Sequence, residues 1–310
     1  MELASQQAIS DRHDSLERIR AAGDELMSVS NLRYEGRYVS AGEFGRVHVM
    51  EFGDGPPVVL VHGAGSGGPA WHRQIAALSR DHRVIVPDVP MFGMSDLPDR
   101  IDAPREQIAD VILGVMDELN VEASDIAGHS MGALGSLGAM MREPTRFNRA
   151  VLLSSPGFGR GLNWLLRLAS LSALRRFVRY DSRRDRHFFF DRFEAQKSGP
   201  SIERDLWKEM HFQVGNRNLA TEIFHQGLRS FANWRGQRDL LTADELSIVT
   251  ASTLLVWGDS DLIIPTRHSR RALVTIPGVR LEIIENCGHI VQLEAPDRLT
   301  DLMTDWLRVN

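Results

Sequence analysis

The stretch Gly128-His129-Ser130-Met131-Gly132 is the part of the sequence that decides the fold. It fits the pattern G-x-S-x-G, in which a serine lies on a sharp turn between a strand and a helix. The residues two places before and after the serine must be very small, because the chain folds back on itself there. We therefore predict Ser130 as a nucleophile and Gly128 and Gly132 as the glycines of its turn. The competing interpretation is an ordinary helix N-cap, where serine is common.

Strand and helix signals alternate on both sides of this turn. Short apolar runs at 47–52, 58–61, 84–86, 126–127, 150–153, 253–257 and 281–284 predict strands. Periodic segments at 108–119, 131–141 and 295–307 predict helices. Apolar runs that alternate with helices indicate a mostly parallel sheet covered on both faces. The strand before the turn is the weakest signal, because 123–127 contains few β-branched residues.

The alternation stops near Ser155 and resumes at 253–257. The segment between, 157–246, is helical in pattern, and it carries about five more basic than acidic residues in an acidic chain. We predict that 157–246 is a helical cap over the carboxyl edge of the sheet, where such sheets bind ligands. The core is then 45–156 and 247–310. It is preceded by an N-terminal helical or extended segment, 1–44, that packs on the surface or frays.

A serine hydroxyl needs a base and a carboxylate to act as a nucleophile near neutral pH. Of the 11 histidines, His289 has the best position, because it lies on the loop after the strand 281–284 and completes the order serine, acid, histidine. Two acids follow the strand 253–257. We prefer Asp261 to Asp259, because Asp259 directly follows the strand glycine and is better placed to cap the turn.

The predicted oxyanion hole consists of two backbone N–H groups, from Met131 and from Ala64 in the glycine-rich loop 62–68. A phosphate-binding loop would need Lys-Ser or Lys-Thr after its glycines, and none follows here. A dinucleotide site would need the spacing G-x-G-x-x-G, which is also absent.

Together these motifs resemble the α/β-hydrolase superfamily. The resemblance is carried by Val61-His62-Gly63, Gly93-Met94-Ser95-Asp96, the turn around Ser130, the segment 258–261 and Gly288-His289. It implies an α/β fold with an eight-stranded, mostly parallel sheet flanked by helices and a helical cap inserted after the sixth strand. Epoxide hydrolases and haloalkane dehalogenases share this scaffold but have an aspartate where Ser130 stands, so Ser130 argues against both.

Within the superfamily, the loop 62–68 with Trp71 is similar to that of the meta-cleavage-product hydrolases, which hydrolyse a carbon–carbon bond. The segment Asn286-Cys287-Gly288-His289 is similar as well. Ile290 stands where those enzymes usually have tryptophan, and Ala64 where their loop usually has serine.

The substrate pocket is the least determined part of the site. Candidate lining residues from the core loops and the cap are His62, Gly63, Gly65, Trp71, Phe92, Met94, Trp164 and Ile290. The cap aromatic residues, which include Phe177 and Phe190, are interpreted as substrate wall or, more simply, as the core of the cap. The arginine-rich run 175–186 faces either a substrate carboxylate or solvent.

The leading functional hypothesis is a serine hydrolase for a small, largely apolar ester, lactone or related acyl substrate. The alternatives are a carbon–carbon hydrolase of ring-cleavage products and a receptor-like binding protein on a hydrolase scaffold. A net charge of −5 and a pI near 6.1 argue against a nucleic-acid partner. With one cysteine, no apolar leader and no membrane segment, we expect a cytoplasmic monomer or homodimer without a cofactor or metal.

Overall fold

The computed structural model describes residues 2–41, 44–90, 92–171, 183–217 and 220–308. Its large sheet has eight strands, β1 Arg37–Ser40, β2 Arg46–Phe52, β3 Pro57–Val61, β4 Arg83–Pro87, β5 Ser124–His129, β6 Phe147–Leu153, β9 Ser252–Gly258 and β10 Arg280–Ile284. Their order across the sheet is β1-β2-β4-β3-β5-β6-β9-β10. Strand β2 pairs in antiparallel fashion with β1 and with β4, and all other pairs are parallel. The predicted mostly parallel sheet is therefore confirmed.

The strand β5, which has the weakest sequence signal, lies at the centre of the sheet. It pairs with β3 on one side and β6 on the other, and all six of its residues are buried. Central position overrides intrinsic preference, because a strand buried on both faces is stabilised by its neighbours rather than by β-branched side chains. The lack of a side chain at Gly128 instead lets the helix after the turn approach closely, since a Cβ there would lie 2.7 Å from Cα of Ala133.

Helices cover both faces of the sheet, as the alternation predicts. Their bounds are α2 His72–Leu78, α3 Pro104–Glu118, α4 Met131–Arg142, α10 Arg267–Thr275, α11 Val291–Glu294 and α12 Pro296–Trp306. On one face α3 and α4 pack so tightly that a Cβ on Gly135 would lie 2.2 Å from Cγ2 of Ile108. On the other face α2 and α12 bury Ile75 and Leu299.

The described part of the segment 157–246 adds no strand to the large sheet. It contains α5 Trp164–Ala169, α6 Arg183–Phe189, a π-helical turn Phe190–Glu194, α7 Ile202–Gly215, α8 Ala220–Phe231 and α9 Ala243–Ser247. It also contains a small hairpin that the sequence analysis missed, formed by β7 Ala232–Asn233 and β8 Gly236–Gln237. Phe177 and most of the arginine-rich run lie outside the described residues.

The helix α1, Glu2–Ser28, packs on α7 of the segment 157–246, the predicted cap, which is called the cap from here on. Its buried residues Ile19, Ala22 and Leu26 join a cluster with Met210 and Val214 of α7. Of the two alternatives left open for this segment, packing is therefore the one observed. Among the described residues, no helix combines the length and apolar character required to cross a membrane.

Candidate active site

The turn between β5 and α4 holds Ser130 in a strained backbone conformation. Its φ is 52°, in the left-handed region that non-glycine residues seldom adopt. A Cβ on Gly132 would lie 2.4 Å from the carbonyl oxygen of Val61, and one on Gly128 would lie 2.7 Å from Cα of Ala133. Both flanking glycines are thus required by close backbone approach.

The structure brings Ser130, His289 and Asp261 together at the carboxyl edge of the sheet. His289 Nε2 lies 3.0 Å from Ser130 Oγ, and His289 Nδ1 lies 2.8 Å from Asp261 Oδ2. The other oxygen, Asp261 Oδ1, accepts the backbone N–H groups of Ile263 and Ile264 at 2.8 and 2.9 Å. The carboxylate is therefore fixed in orientation, and it fixes the histidine tautomer that leaves Nε2 facing the serine.

Two opposing effects set the protonation of His289. Burial disfavours the charged imidazolium, but the negative charge and hydrogen bond of Asp261 outweigh it, so the pKa of His289 is raised above its ordinary value. Asp259 does not share this role. Its Oδ1 instead accepts the Ser260 hydroxyl at 2.8 Å and the backbone N–H of Cys287 at 3.3 Å, which stabilises the loop that carries His289.

A buried carboxylate, Asp88, joins the glycine-rich loop to the segment at Met94. Its oxygens accept the N–H groups of Gly68 and Met94, at 2.7 and 2.8 Å, and they contact Nδ1 of His48 at 2.9 Å. Ala64 of this loop and Met131, the first residue of α4, line the same cavity as Ser130 and His289. The first N–H groups of a helix have no intrahelical partner, so that of Met131 is available to an oxyanion.

A cavity beside Ser130 lies between the sheet edge and the cap. Its wall is mostly apolar, and the cap and adjoining loops supply Leu162, Leu166, Phe190, Phe224, Leu228 and Phe231. Charged and polar cap residues, which include Arg186, Glu194, Lys208 and His211, interrupt this wall. Within the described residues, no group of His, Cys, Asp and Glu side chains is arranged to hold a metal ion.

A family model for the α/β hydrolase fold matches residues 56–296. The chain belongs to the α/β-hydrolase family. Among related proteins, the 2-hydroxymuconate semialdehyde hydrolase of Pseudomonas sp. strain CF600 is 30% identical over 275 residues, which cover 84% of this chain and 90% of the relative. The 2-hydroxy-6-oxo-2,4-heptadienoate hydrolase of Pseudomonas putida strain F1 is 30% identical over 284 residues, covering 88% and 96%. The predicted resemblance to meta-cleavage-product hydrolases is therefore confirmed.

Solved structures of α/β hydrolases have the same architecture. Carboxylesterase CesB from Bacillus subtilis superposes with a TM-score of 0.77 at 23% identity, covering 95% of this chain and 99% of that one. A 2-hydroxy-6-oxo-6-phenylhexa-2,4-dienoate hydrolase from Rhodococcus sp. strain RHA1 has the same TM-score and identity, covering 89% and 99%. At this identity the likeness shows the fold alone.

Three of the eight predicted pocket residues of this α/β hydrolase line the cavity, namely Gly65, Phe92 and Ile290. Trp71 does not, because it is fully buried in the opposite core layer with Ile75 of α2. Trp164 does not either, because it lies on the outer side of α5 with 57% of its surface exposed.

The other three predicted pocket residues support the loops instead. His62 is buried, and its Nε2 accepts the backbone N–H of Val89 at 2.9 Å. Gly63 lies beneath His129, whose Nδ1 would be 2.7 Å from an added Cβ. Met94 lines a separate small cleft between the core and α1. A residue that lies close in sequence to a catalytic loop therefore does not necessarily line the cavity of this hydrolase.

The polar residues that the cap brings to the cavity are not among the predicted pocket residues. The backbone of Glu194 contacts the loop of the catalytic histidine directly, because its carbonyl oxygen accepts the N–H groups of both His289 and Ile290 at 3.2 Å. His211 lies one helix further along the chain. Neither residue stands in a motif, and only the folded cap places them opposite Ser130.

Proposed function

We propose that the chain hydrolyses a small, largely apolar ester or lactone through an acyl-enzyme formed on Ser130. The observation that carries this proposal is the continuous hydrogen-bonded series from Ser130 Oγ through His289 to Asp261, which opens into an apolar cavity. A serine with an aligned base and an orienting carboxylate is the arrangement that nucleophilic acyl transfer requires.

In the first half of the reaction His289 Nε2 accepts the Ser130 proton as Oγ attacks the substrate carbonyl carbon. The N–H groups of Met131 and Ala64 stabilise the oxyanion, with the helix dipole of α4 adding a favourable field. When the tetrahedral intermediate collapses, the imidazolium of His289 donates its proton to the departing alcohol oxygen. The raised pKa of His289 suits this donation, because Asp261 stabilises the charged form.

In the second half a water molecule replaces the alcohol. His289 takes a proton from this water, the resulting nucleophile attacks the acyl carbon, and Ser130 leaves with its proton restored. The apolar cap wall shields the acyl-enzyme and accepts the acyl chain by burial of its surface. This wall supports a small hydrocarbon-like acyl group as the preferred substrate.

Carbon–carbon bond hydrolysis is the second candidate, and two observations favour it. The relatives at 30% identity are named for ring-cleavage products that carry a carboxylate. The cavity wall also includes the cations Arg186 and Lys208, whose charge attracts such a group, although Arg186 already donates to the carbonyl of Gly215 at 2.6 Å and Lys208 to Asp191 at 3.0 Å. Against it, Ile290 stands where those enzymes usually have tryptophan.

One experiment tests the proposal and separates the two candidates. Purified protein is assayed with p-nitrophenyl esters from acetate to dodecanoate and, in parallel, with yellow ring-cleavage products whose bleaching reports carbon–carbon cleavage. We expect steady ester turnover and a loss of about 10⁴-fold or more in kcat for Ser130→Ala. Ser269→Ala removes a buried hydroxyl that donates only to the carbonyl of Thr266, far from the cavity, and serves as the matched control.

If the protein cleaves the ring-cleavage products faster than it hydrolyses the esters, the result favours carbon–carbon bond hydrolysis, the second candidate. A Ser130→Ala protein with wild-type turnover would refute serine catalysis altogether. Binding of these compounds without turnover by the wild-type protein would indicate a receptor-like protein instead.

A further inference from the structure

The cap wall of the cavity carries several buried polar atoms without a hydrogen-bond partner among the described residues, and one of them is Nε2 of His187. Three others, Oε2 of Glu194, Nε1 of Trp207 and Nε2 of His211, belong to neighbouring side chains that line the cavity. The hydrolytic reaction derived above uses none of them. A buried polar group left unpaired is costly, so a cluster of three on one wall requires an explanation.

Packing holds two of these groups in place. The ring of His211 lies between aromatic neighbours, with centroids 5.2 Å from Phe190 and 5.8 Å from Trp207. Trp207 itself is only 1% exposed. His211 also lies across from the glycine-rich loop, since its Nδ1 would be 3.7 Å from a Cβ on Gly65. The two polar edges therefore cannot turn away to find other partners without disrupting the cap.

The backbone holds the third group in place. Glu194 ends the π-helical turn Phe190–Glu194, a local insertion that redirects side chains and is frequent at functional sites. Its carbonyl accepts the N–H groups of His289 and Ile290, which fixes the cap to the histidine loop. Its Oε2 lies 3.7 Å from Nδ1 of His211, too far for a hydrogen bond but close enough for both to contact one small ligand group.

Charge in this cluster is low near neutral pH. Burial raises the pKa of Glu194 to about 7, an effect that His289 opposes, and burial lowers the pKa of His211 to about 3. His211 is then neutral, and Glu194 is partly protonated. The cluster thus offers hydrogen-bond donors and acceptors with little net charge.

We propose that Glu194, Trp207 and His211 form a hydrogen-bonding subsite for a hydroxyl group on the substrate. The indole N–H of Trp207 donates to the hydroxyl oxygen, and Glu194 or His211 accepts the hydroxyl proton. This inference rests on the proposed function, because it places the hydroxyl on the molecule that Ser130 attacks. It assigns the substrate class as hydroxylated apolar acyl compounds.

A charged group fits this cluster less well than a hydroxyl. A substrate carboxylate would lie beside the carboxyl of Glu194 and force it to stay protonated. An ammonium group would lose its hydration in an apolar cavity and would share its wall with Lys208. A hydroxyl has one donor and two lone pairs, so it satisfies unpaired groups of both kinds at once.

The test compares ethyl hexanoate with its monohydroxylated isomers. Each isomer carries a single hydroxyl, on one of the acyl-chain carbons from the second to the sixth. Acid release is measured for wild type, Glu194→Met, His211→Phe and Glu194→Gln, and the result for each protein is its ratio of kcat/KM between hydroxylated and parent ester. We expect wild type to favour one hydroxylated isomer by about 10-fold or more. Glu194→Met and His211→Phe should lose the preference for the hydroxylated isomer, so that their ratio falls to about 1. Glu194→Gln, which can still hydrogen-bond, should keep most of the wild-type preference.

Glu294→Gln is the matched control for a buried carboxyl. Glu294 lies outside the cavity lining, and its carboxylate already accepts the backbone N–H groups of Gly288, Lys197 and Ser198. This variant should keep the wild-type isomer ratio even if its stability changes. Circular dichroism and melting temperature establish which variants are folded, and the ratio is interpreted only for those.

A second measurement separates failure of the subsite from failure of the proposed function. Binding of the same esters to Ser130→Ala is measured by calorimetry, without turnover. Selective binding of one hydroxylated isomer supports the subsite even if the wild-type protein hydrolyses no ester. Equal binding of all isomers, or a wild-type isomer ratio that persists in Glu194→Met and His211→Phe, would overturn it.

Discussion

The two walls of the active-site cavity differ in how they are built. The sheet edge supplies Ser130, Asp261 and His289 from loops that follow strands β5, β9 and β10. The cap supplies Glu194, Trp207 and His211 from a π-helical turn and the helix α7. The first wall has nearly every polar group paired, whereas the second carries unpaired ones. The difference suggests that chemistry belongs to the sheet edge and substrate recognition to the cap.

The largest expected effect tests the sheet edge. Asp261→Asn should lower kcat/KM by about 10⁴-fold, because an amide cannot hold His289 in the tautomer that accepts the serine proton. Asp259→Asn is the matched control, the same substitution two residues away, and it should cost far less because its carboxylate contacts only Ser260 and the loop backbone. Steady-state kinetics on one p-nitrophenyl ester suffices. A larger loss for Asp259→Asn would reassign the acid.

The two walls also differ in how well they can be predicted from sequence. The sheet-edge residues stand in motifs, because strand ends and a tight turn impose local requirements such as the glycines beside Ser130. The resemblance that these motifs carry then implies the eight-stranded sheet, whereas the apolar runs alone predict seven of its strands and miss β1. Even the weak strand β5 is located correctly, since its neighbours in sequence indicate where it must lie.

The cap side of the cavity could not be predicted in the same way. Helical periodicity shows that Trp164 and Trp207 lie on helices, but it does not show which helix face meets the cavity. Trp164 on α5 proves to be exposed, whereas Trp207 on α7 is buried where α7 packs against α1. Trp71 is the corresponding case in the core, where a residue near the glycine-rich loop points into the opposite layer.

A smaller effect is expected from the apolar part of the cap wall. Phe190 is 2% exposed and lines the cavity, so Phe190→Leu should enlarge the acyl pocket and shift the preferred ester toward longer chains. We expect the ratio of kcat/KM between octanoate and butyrate esters to change by roughly 10-fold. Trp164→Leu removes an exposed aromatic residue of the same cap and should leave that ratio unchanged. Identical chain-length profiles for wild type and folded Phe190→Leu would exclude the cap wall as the determinant.

The smallest effect concerns the electrostatic coupling between the two walls. Burial lowers the pKa of His289, whereas the carboxyls of Asp261, Glu194 and Glu294 raise it. The ring of His129 also lies close to His289, but it carries no negative charge that would stabilise the imidazolium. A base acts in its neutral form, so kcat/KM should rise with pH through a pKa above the ordinary histidine value of about 6.5. Asp261→Asn removes the largest favourable influence, and the rising limb should move to lower pH.

Glu194→Gln should move that limb in the same direction by a smaller amount, because the cap carboxyl acts on His289 through charge without a hydrogen bond. The measurement is kcat/KM on the parent ester across the acid range, since this ratio reports ionisation of the free enzyme. Asp259→Asn is again the control, because Asp259 is absent from the groups that raise the pKa of His289. A limb that moves upward in Glu194→Gln would contradict the coupling. An unmoved limb would mean that the cap wall recognises substrate without influencing the base, which would make the division between the two walls complete.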